Sequence, residues 1–245
     1  MEFGSLFAGI GGIDLGLERA GMKCIWQIEK DEFCQKVLQK HWPDIPKYGD
    51  IYEVRGDELG AVELIAGGFP CQPFSLAGKR EGEKDGRYLW PEMLRIIENI
   101  SPEWVIAENV GGIFSIDGGN TINAICASLE TIGYEKPAIF DFAADTFGLS
   151  TMERHIWIVA KADGKRRKRG EKKKDTEAWQ KKGEFQGTHQ GECDRSDLSK
   201  TRFCRVSERV SDRVDRDRLK ALGNAVIPQM AEWIGRRIME FEAIT

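Results

Sequence analysis

The run Gly67-Gly68-Phe69-Pro70-Cys71-Gln72-Pro73-Phe74-Ser75 sets one thiol between two prolines, just after two glycines. Proline fixes φ and glycine permits close approach, so a stiff loop holding its cysteine in the open is expected. A thiol presented in this way suits nucleophilic chemistry, for which the thiolate is the reactive form. A lone cysteine is more commonly a small buried apolar residue. Prolines and glycines are poor core neighbours, which weighs against that reading here. Glu108-Asn109-Val110 offers a carboxyl group at a strand end. It is either an acid or hydrogen-bond partner for a reacting group, or an ordinary strand-end glutamate.

A third constellation opens the chain. Phe7-Ala8-Gly9-Ile10-Gly11-Gly12 joins an apolar run to an amphipathic stretch. Glycines at such a turn let a ligand approach the backbone, and the helix that follows favours negative charge at its N-terminus. Glu29 comes 17 residues after Gly12, where a carboxylate can accept both hydroxyls of a ribose. These residues fit a nucleoside-type cofactor, and they equally fit a tight strand–helix turn with a surface glutamate. They do not choose between a dinucleotide and S-adenosylmethionine. Asp50-Ile51, after a candidate third short strand, is either an adenine contact or a plain surface aspartate.

Elements that could position these groups are legible in the alternation of short apolar runs with longer amphipathic stretches. Strands are expected at Phe3–Phe7, Lys23–Ile28, Leu64–Ala66, Trp104–Glu108, Ala138–Phe142 and His155–Lys161. Helices are expected at Ile13–Ala20, Asp31–His41, Trp90–Ile100, Asn120–Ile132 and Asn224–Glu242. Strands separated by helices of this length imply βαβ units and a mainly parallel α/β sheet. Such sheets place ligands at the carboxyl ends of their strands, where the glycine turn, Cys71 and Glu108 all fall.

Composition narrows the function classes. The 245 residues, 41% hydrophobic, suit one large domain or a domain plus a small one. Six cysteines at positions 24, 34, 71, 126, 193 and 204 form neither a disulfide framework nor a zinc-knuckle spacing, so no metal is expected. No basic-then-apolar leader and no membrane-length apolar run is visible, so no membrane partner is expected. The net charge of −4 would argue against a nucleic-acid partner if charge were evenly spread. It is not. From Lys161 to Lys220, 20 basic residues accompany 12 acidic ones, a local net of +8, while the remaining 16 basic and 28 acidic residues net −12. The segment opens with Lys165-Arg166-Arg167-Lys168-Arg169 and Lys172-Lys173-Lys174. Such a run is either a solvated loop or a phosphate-contacting surface, and one segment can be both.

Taken together, Phe7-Ala8-Gly9-Ile10-Gly11-Gly12, Gly68-Phe69-Pro70-Cys71-Gln72-Pro73, Glu108-Asn109-Val110 and Gly223-Asn224-Ala225-Val226 with Pro228 resemble the ordered motifs of the DNA cytosine-5 methyltransferase family. The Pro-Cys-Gln-Pro core with Glu-Asn-Val behind it is specific, whereas the glycine turn is not. The resemblance implies a Rossmann-like class I methyltransferase sheet whose last helix packs beside the first motif. It implies S-adenosylmethionine as cofactor, held by Phe7, Gly9, Ile10, Gly11, Gly12, Glu29, Asp50, Ile51, Pro70, Leu89, Asn224 and Ala225. It implies Cys71 as nucleophile towards C6 of a flipped cytosine and Glu108 as its partner at the base. Residues 1–160 and 219–245 would form the catalytic domain, and the basic residues 161–218 a short target-recognition region. The implied partner is double-stranded DNA, met by a monomer in the cytoplasm of a bacterial or phage-infected cell, in the manner of a restriction-modification enzyme.

One stretch departs from the family. Where it carries Gln-x-Arg-x-Arg, or a His-containing variant, this chain has Thr151, Glu153 and His155, with Arg154 between the two arginine positions. Either a local register shift brings Arg154 to the base, the reading adopted here, or the pocket is weakened. His155 reads as a plain strand residue. Two further function classes stay open: a tRNA cytosine-5 methyltransferase, and a DNA-binding relative without full activity. An NAD oxidoreductase accounts for the glycine turn but not for Cys71 with Glu108.

Overall fold

The computed structural model describes residues 1–70, 88–114, 116–147, 153–164, 217–218, 220–222 and 224–244. The apolar runs become β1 (Glu2–Leu6), β2 (Lys23–Ile28), β4 (Leu64–Gly68), β5 (Trp104–Val110), β6 (Ala138–Ala143) and β7 (Arg154–Lys161). The short strand before Asp50 is β3 (Lys47–Tyr48). The amphipathic stretches become α1 (Gly12–Arg19), α2 (Glu32–His41), α3 (Trp90–Ile100), α4 (Asn120–Thr131) and α5 (Pro228–Ile244). No helix among the described residues is long and apolar enough to cross a membrane.

Local chemistry explains the boundaries. Asp31 caps α2, its side chain accepting from the backbone N–H groups of Phe33 at 3.0 Å and Cys34 at 3.2 Å. The last helix starts at Pro228 rather than at the expected Asn224. Proline is at home at a helix start, while the residue before it is pushed out of the helical region. Residues 224 and 225 instead turn back, with N–H bonds to the carbonyls of Lys220 and Leu222.

The seven strands pair in the order β3-β2-β1-β4-β5-β7-β6. The pairs β1–β2, β1–β4, β2–β3 and β4–β5 are parallel. β7 runs antiparallel to both neighbours. Ten residues separate β6 from β7, too few for a parallel crossover, so the chain turns straight back. The order reverses between β1 and β4, and that switch point opens a crevice at the strands' carboxyl ends.

Side chains alternate across the sheet into two cores. Ile65, Val105, Ala107, Ile156 and Ile158 face α3 and α4, packing with Met93, Ile97 and Ile125. Phe3, Leu64, Trp104, Ile106, Trp157 and Val159 face α1 and α5, packing with Leu17, Met230 and Ile234. Trp104 and Trp157 are fully buried. Large apolar side chains buried this way are worth about 1.5–3 kcal/mol each.

The helices α1 and α5 meet through small residues. A Cβ added at Gly16 would lie 2.3 Å from the Pro228 carbonyl oxygen and 2.6 Å from the Ala231 Cβ. Alanine at position 16 gains about 1 kcal/mol of helix propensity, but overpacking against backbone costs about 1–3 kcal/mol. Gly16→Ala is therefore expected to lower the urea midpoint. A raised midpoint would show that α1 and α5 separate more easily than this packing implies.

Candidate active site

The glycine turn of Phe7–Gly12 is built to bring backbone to the crevice. Phe7 has a left-handed φ of 53°, Gly9 one of 57° and Gly11 one of 86°. An added Cβ at Gly11 would strike the Trp42 ring at 2.4 Å, and one at Gly12 the Val226 carbonyl oxygen at 2.3 Å. The turn is thus clamped between the residue after α2 and the segment before α5. At Gly9 the same construction meets nothing within 4 Å among the described residues, which leave that side of the turn open.

Beneath the turn lies a buried polar knot. Asp14 of α1 accepts from the Ser5 hydroxyl at 2.9 Å and from the Gln27 side-chain amide at 2.7 Å. Burial pushes its carboxyl above the ordinary value, partly offset by these hydrogen bonds. The knot ties β1, β2 and α1 together where the turn begins.

Glu29 stands at the carboxyl end of β2. Its carboxylate accepts from the Gly9 N–H through Oε2 and from the Asp31 N–H through Oε1, each at 2.7 Å. A carboxylate has about four lone-pair sites, so two stay available to a ligand's hydroxyls. Asp50 pairs with Lys30 at 2.5 Å and accepts from the Tyr52 N–H at 3.2 Å. The Lys30 hydrogen bond holds the Asp50 carboxyl below its usual range. Ile51 is buried, and its carbonyl accepts from Arg95 of α3 at 2.8 Å. Leu89, at the start of α3, packs against the same apolar cluster as Ile51. On the far side, Asn224 is exposed, and Ala225 and Val226 are half-buried. Lys220 ties that segment to Asp31 at 2.7 Å. The structure therefore ties Gly9 of the turn to Glu29, Gly12 to Val226, and Asp31 beside Glu29 to Lys220, while Ile51 and Leu89 share one apolar cluster. Open backbone at Gly9 and spare acceptor capacity at Glu29 fit a ribose-bearing cofactor.

The next strands carry the second half of the site. Gly68 of β4 lies in register with Glu108 of β5. A Cβ at Gly68 would come within 2.8 Å of Glu108 Oε2, so the glycine makes room for the carboxyl group. Glu108 itself is buried. Asn109 donates through Nδ2 to the Phe69 carbonyl at 3.0 Å, while its Oδ1 accepts from the Val110 N–H at 2.9 Å. Phe69 is buried against Trp90, ring centroids 5.5 Å apart. Glu108 and Asn109 thus flank Gly68 and Phe69, just ahead of Pro70-Cys71 in the sequence. Pro70 is half-buried, whereas Cys71 lies outside the described residues. The described cysteines offer no rival nucleophile. Burial pushes the Cys34 thiol up to about 12, and raises those of Cys24 and Cys126 as well.

The position expected for Arg154 does not emerge near Glu108. Arg154 starts β7 on the opposite face, exposed, and pairs with Asp141 through Nη2 at 2.5 Å and Nε at 3.0 Å. The residue that meets Glu108 is His155, which sequence reasoning set aside. Its Nδ1 lies 2.7 Å from Glu108 Oε1, and both side chains are buried. Strand parity carried the signal: His155, Trp157 and Val159 alternate on the face shared with Glu108. Asn109 was likewise legible only as the middle of a motif. Thr151, Gly223 and the segment 165–216 lie outside the described residues.

Burial works against a charged ring at His155, but the hydrogen bond and charge of Glu108, with a smaller contribution from Glu153, outweigh it. The proton is held above the ordinary 6.5. A raised native value means that protonation stabilises the fold fully below about pH 6.5, and that this contribution is lost as pH rises through the native value. Melting temperature is expected to fall over that window in wild type and to fall less in His155→Gln, in thermal melts at stepped pH. Equal slopes would show that the ring does not hold a proton in the folded state.

The chain has been compared with known proteins. The family model for the C-5 cytosine-specific DNA methylase matches residues 1–203. Among curated relatives, the Type II methyltransferase M.BsuFI of Bacillus subtilis is 36% identical over 161 residues, covering 65% of this chain and 39% of that one. M.PspPI of Psychrobacter sp. (strain TA137) is 46% identical over 133 residues, covering 53% and 32%. This chain spans about half the length, or less, of the curated relatives it matches. The solved structure of Spodoptera frugiperda DNMT2 superposes with a TM-score of 0.55 at 18% identity, covering 71% of this chain and 53% of that one, a likeness of fold.

Proposed function

The chain belongs to the C-5 cytosine-specific DNA methylase family, and from that premise we propose that it methylates C5 of cytosine in double-stranded DNA with S-adenosylmethionine. The observation that carries the proposal is the placement of Glu108 over Gly68, with Asn109 anchoring Phe69, two residues before Cys71 in the sequence. The cofactor, when bound, supplies an electrophilic methyl group. Phe7, Gly9, Ile10, Gly11 and Gly12 would hold it on one side, with Glu29 on its ribose. Asp50, Ile51, Leu89, Pro70, Asn224 and Ala225 would complete the enclosure.

Cytosine C5 is a weak nucleophile until its ring is activated. The Cys71 thiolate attacks C6, forming an S–C bond and pushing electron density towards C5 and N3. Glu108 stabilises the charge that develops at N3 by donating or sharing a proton, an effect of roughly 10²–10⁴-fold. After methyl transfer a base removes the C5 proton and the C6–S bond breaks. C6 is out of reach within a duplex, so the target base must leave the stack at a few kcal/mol. The basic residues between 161 and 218 are proposed as the target-recognition region, their cations meeting phosphates. Residues 1–160 and 219–245 are proposed as the catalytic domain, acting as a monomer in the cytoplasm of a bacterial or phage-infected cell.

Bisulfite sequencing of DNA from a methylation-free bacterial host expressing the protein tests this reading directly. Protected cytosines at one recurring sequence are expected. Uniform conversion, with the protein folded and binding S-adenosylmethionine, would reject it.

A further inference from the structure

We propose that His155 is a titratable positioning residue for Glu108: its imidazole holds the carboxyl group in the base pocket and lends it the proton that N3 of the target cytosine takes up. This rests on the proposed methyl transfer and adds a proton source to it.

In the Gln-x-Arg-x-Arg form of the family pattern an arginine falls at position 155. Arginine would hold the carboxylate through a permanent charge and could not give up a proton. This chain has an imidazole there, 2.7 Å from Glu108 Oε1 and buried with it. The neighbouring arginine cannot substitute. Arg154 points to the other face of β7 and is already paired in two places with Asp141. His155 Nε2 is buried with no hydrogen-bond partner among the described residues, so Glu108 is the group there through which the ring can exchange a proton.

The surroundings of the ring support that exchange. β5 presents Glu108 and, directly opposite His155, the apolar Val110. β6 presents Phe142, while its Asp141 faces Arg154 instead. Glu153, just before β7, adds negative charge, and Asp145 acts on Arg154. Among these described groups no cation competes for Glu108 on its own face. As Cys71 attacks C6, the proton shared between His155 Nδ1 and the Glu108 carboxylate passes through that carboxyl group to N3, leaving the ring neutral. When the C6–S bond breaks, the N3 proton returns by the same route, so the pair ends each turnover as it began. Because the ring loses its proton at high pH, the reaction acquires an alkaline limit that an arginine enzyme would lack.

Two measurements test this. In an NMR titration of the DNA-free protein, His155 is expected to titrate above 6.5, and at least about one pH unit lower in Glu108→Gln. In single-turnover methyl transfer on duplex DNA, the wild-type rate is expected to fall about tenfold per pH unit above the His155 pKa. His155→Arg should lack that limb, and His155→Gln should be slow throughout and lack it too. An alkaline limb that survives in His155→Arg would overturn this inference alone. No transfer at any pH would overturn the proposed function and this inference with it. Should His155→Arg not fold, the NMR comparison decides: a His155 pKa unmoved by Glu108→Gln overturns the proposal.

Discussion

Cys71→Ser is expected to abolish methyl transfer, and with it the covalent complex that wild type is expected to form on DNA containing 5-fluorocytosine. The fluorine at C5 cannot leave as a proton does, so under the proposed mechanism wild type should stall with the enzyme still bonded to C6. Denaturing gels with labelled DNA then read the adduct directly. A serine hydroxyl ionises far less readily than a thiol, so it does not replace the thiolate as a nucleophile. The loss should reach about 10⁴-fold or more, the scale seen when a nucleophile is removed. The buried Cys24 and Cys34, with thiols pushed up by burial, serve as controls whose replacement leaves the adduct in place. An adduct in Cys71→Ser would move the nucleophile elsewhere and dismantle the proposed mechanism.

Glu108→Gln is the second large effect. The amide keeps the shape that Gly68 makes room for, but it has no proton to give to N3. Turnover is expected to drop by roughly 10²–10⁴-fold. Affinity for S-adenosylmethionine, measured by calorimetry, should stay within about twofold, because Glu29 and the glycine turn lie on β1 and β2 rather than on β5. A variant with wild-type turnover would reduce Glu108 to a structural neighbour of His155. A variant that loses the cofactor would show that the two halves of the crevice are coupled through Val226, which touches both Gly12 and Gly68.

Periodicity reveals most of this fold because strands and helices are dictated by local sequence. All six expected strands and all five expected helices are present, with boundaries displaced by a residue or two except at Pro228. The antiparallel β7 was available in principle, since the ten residues before it cannot carry a crossover. Pairwise chemistry across the sheet is a different matter. Glu108 and His155 are 47 residues apart, and only the pairing of β5 with β7 brings them into contact. The Gln-x-Arg-x-Arg pattern draws attention to Arg154, whereas the pleat turns that residue away and presents its neighbour. Asn109 shows the same limit: its partner is a backbone carbonyl 40 residues earlier, which no motif advertises.

The seating of α1 on α5 also has a consequence for synthesis on the ribosome. The chain that forms α1 emerges about 200 residues before α5, an interval of roughly 10–40 s at elongation rates of about 5–20 residues per second. Through that interval α3 and α4 can already cover one face of the sheet. The other face, with Phe3, Trp104 and Trp157, and the apolar side of α1 still await Met230 and Ile234. Val226, whose carbonyl closes against Gly12, arrives just ahead of α5. The glycine turn is therefore closed against Val226 only after every described strand of the sheet has been made.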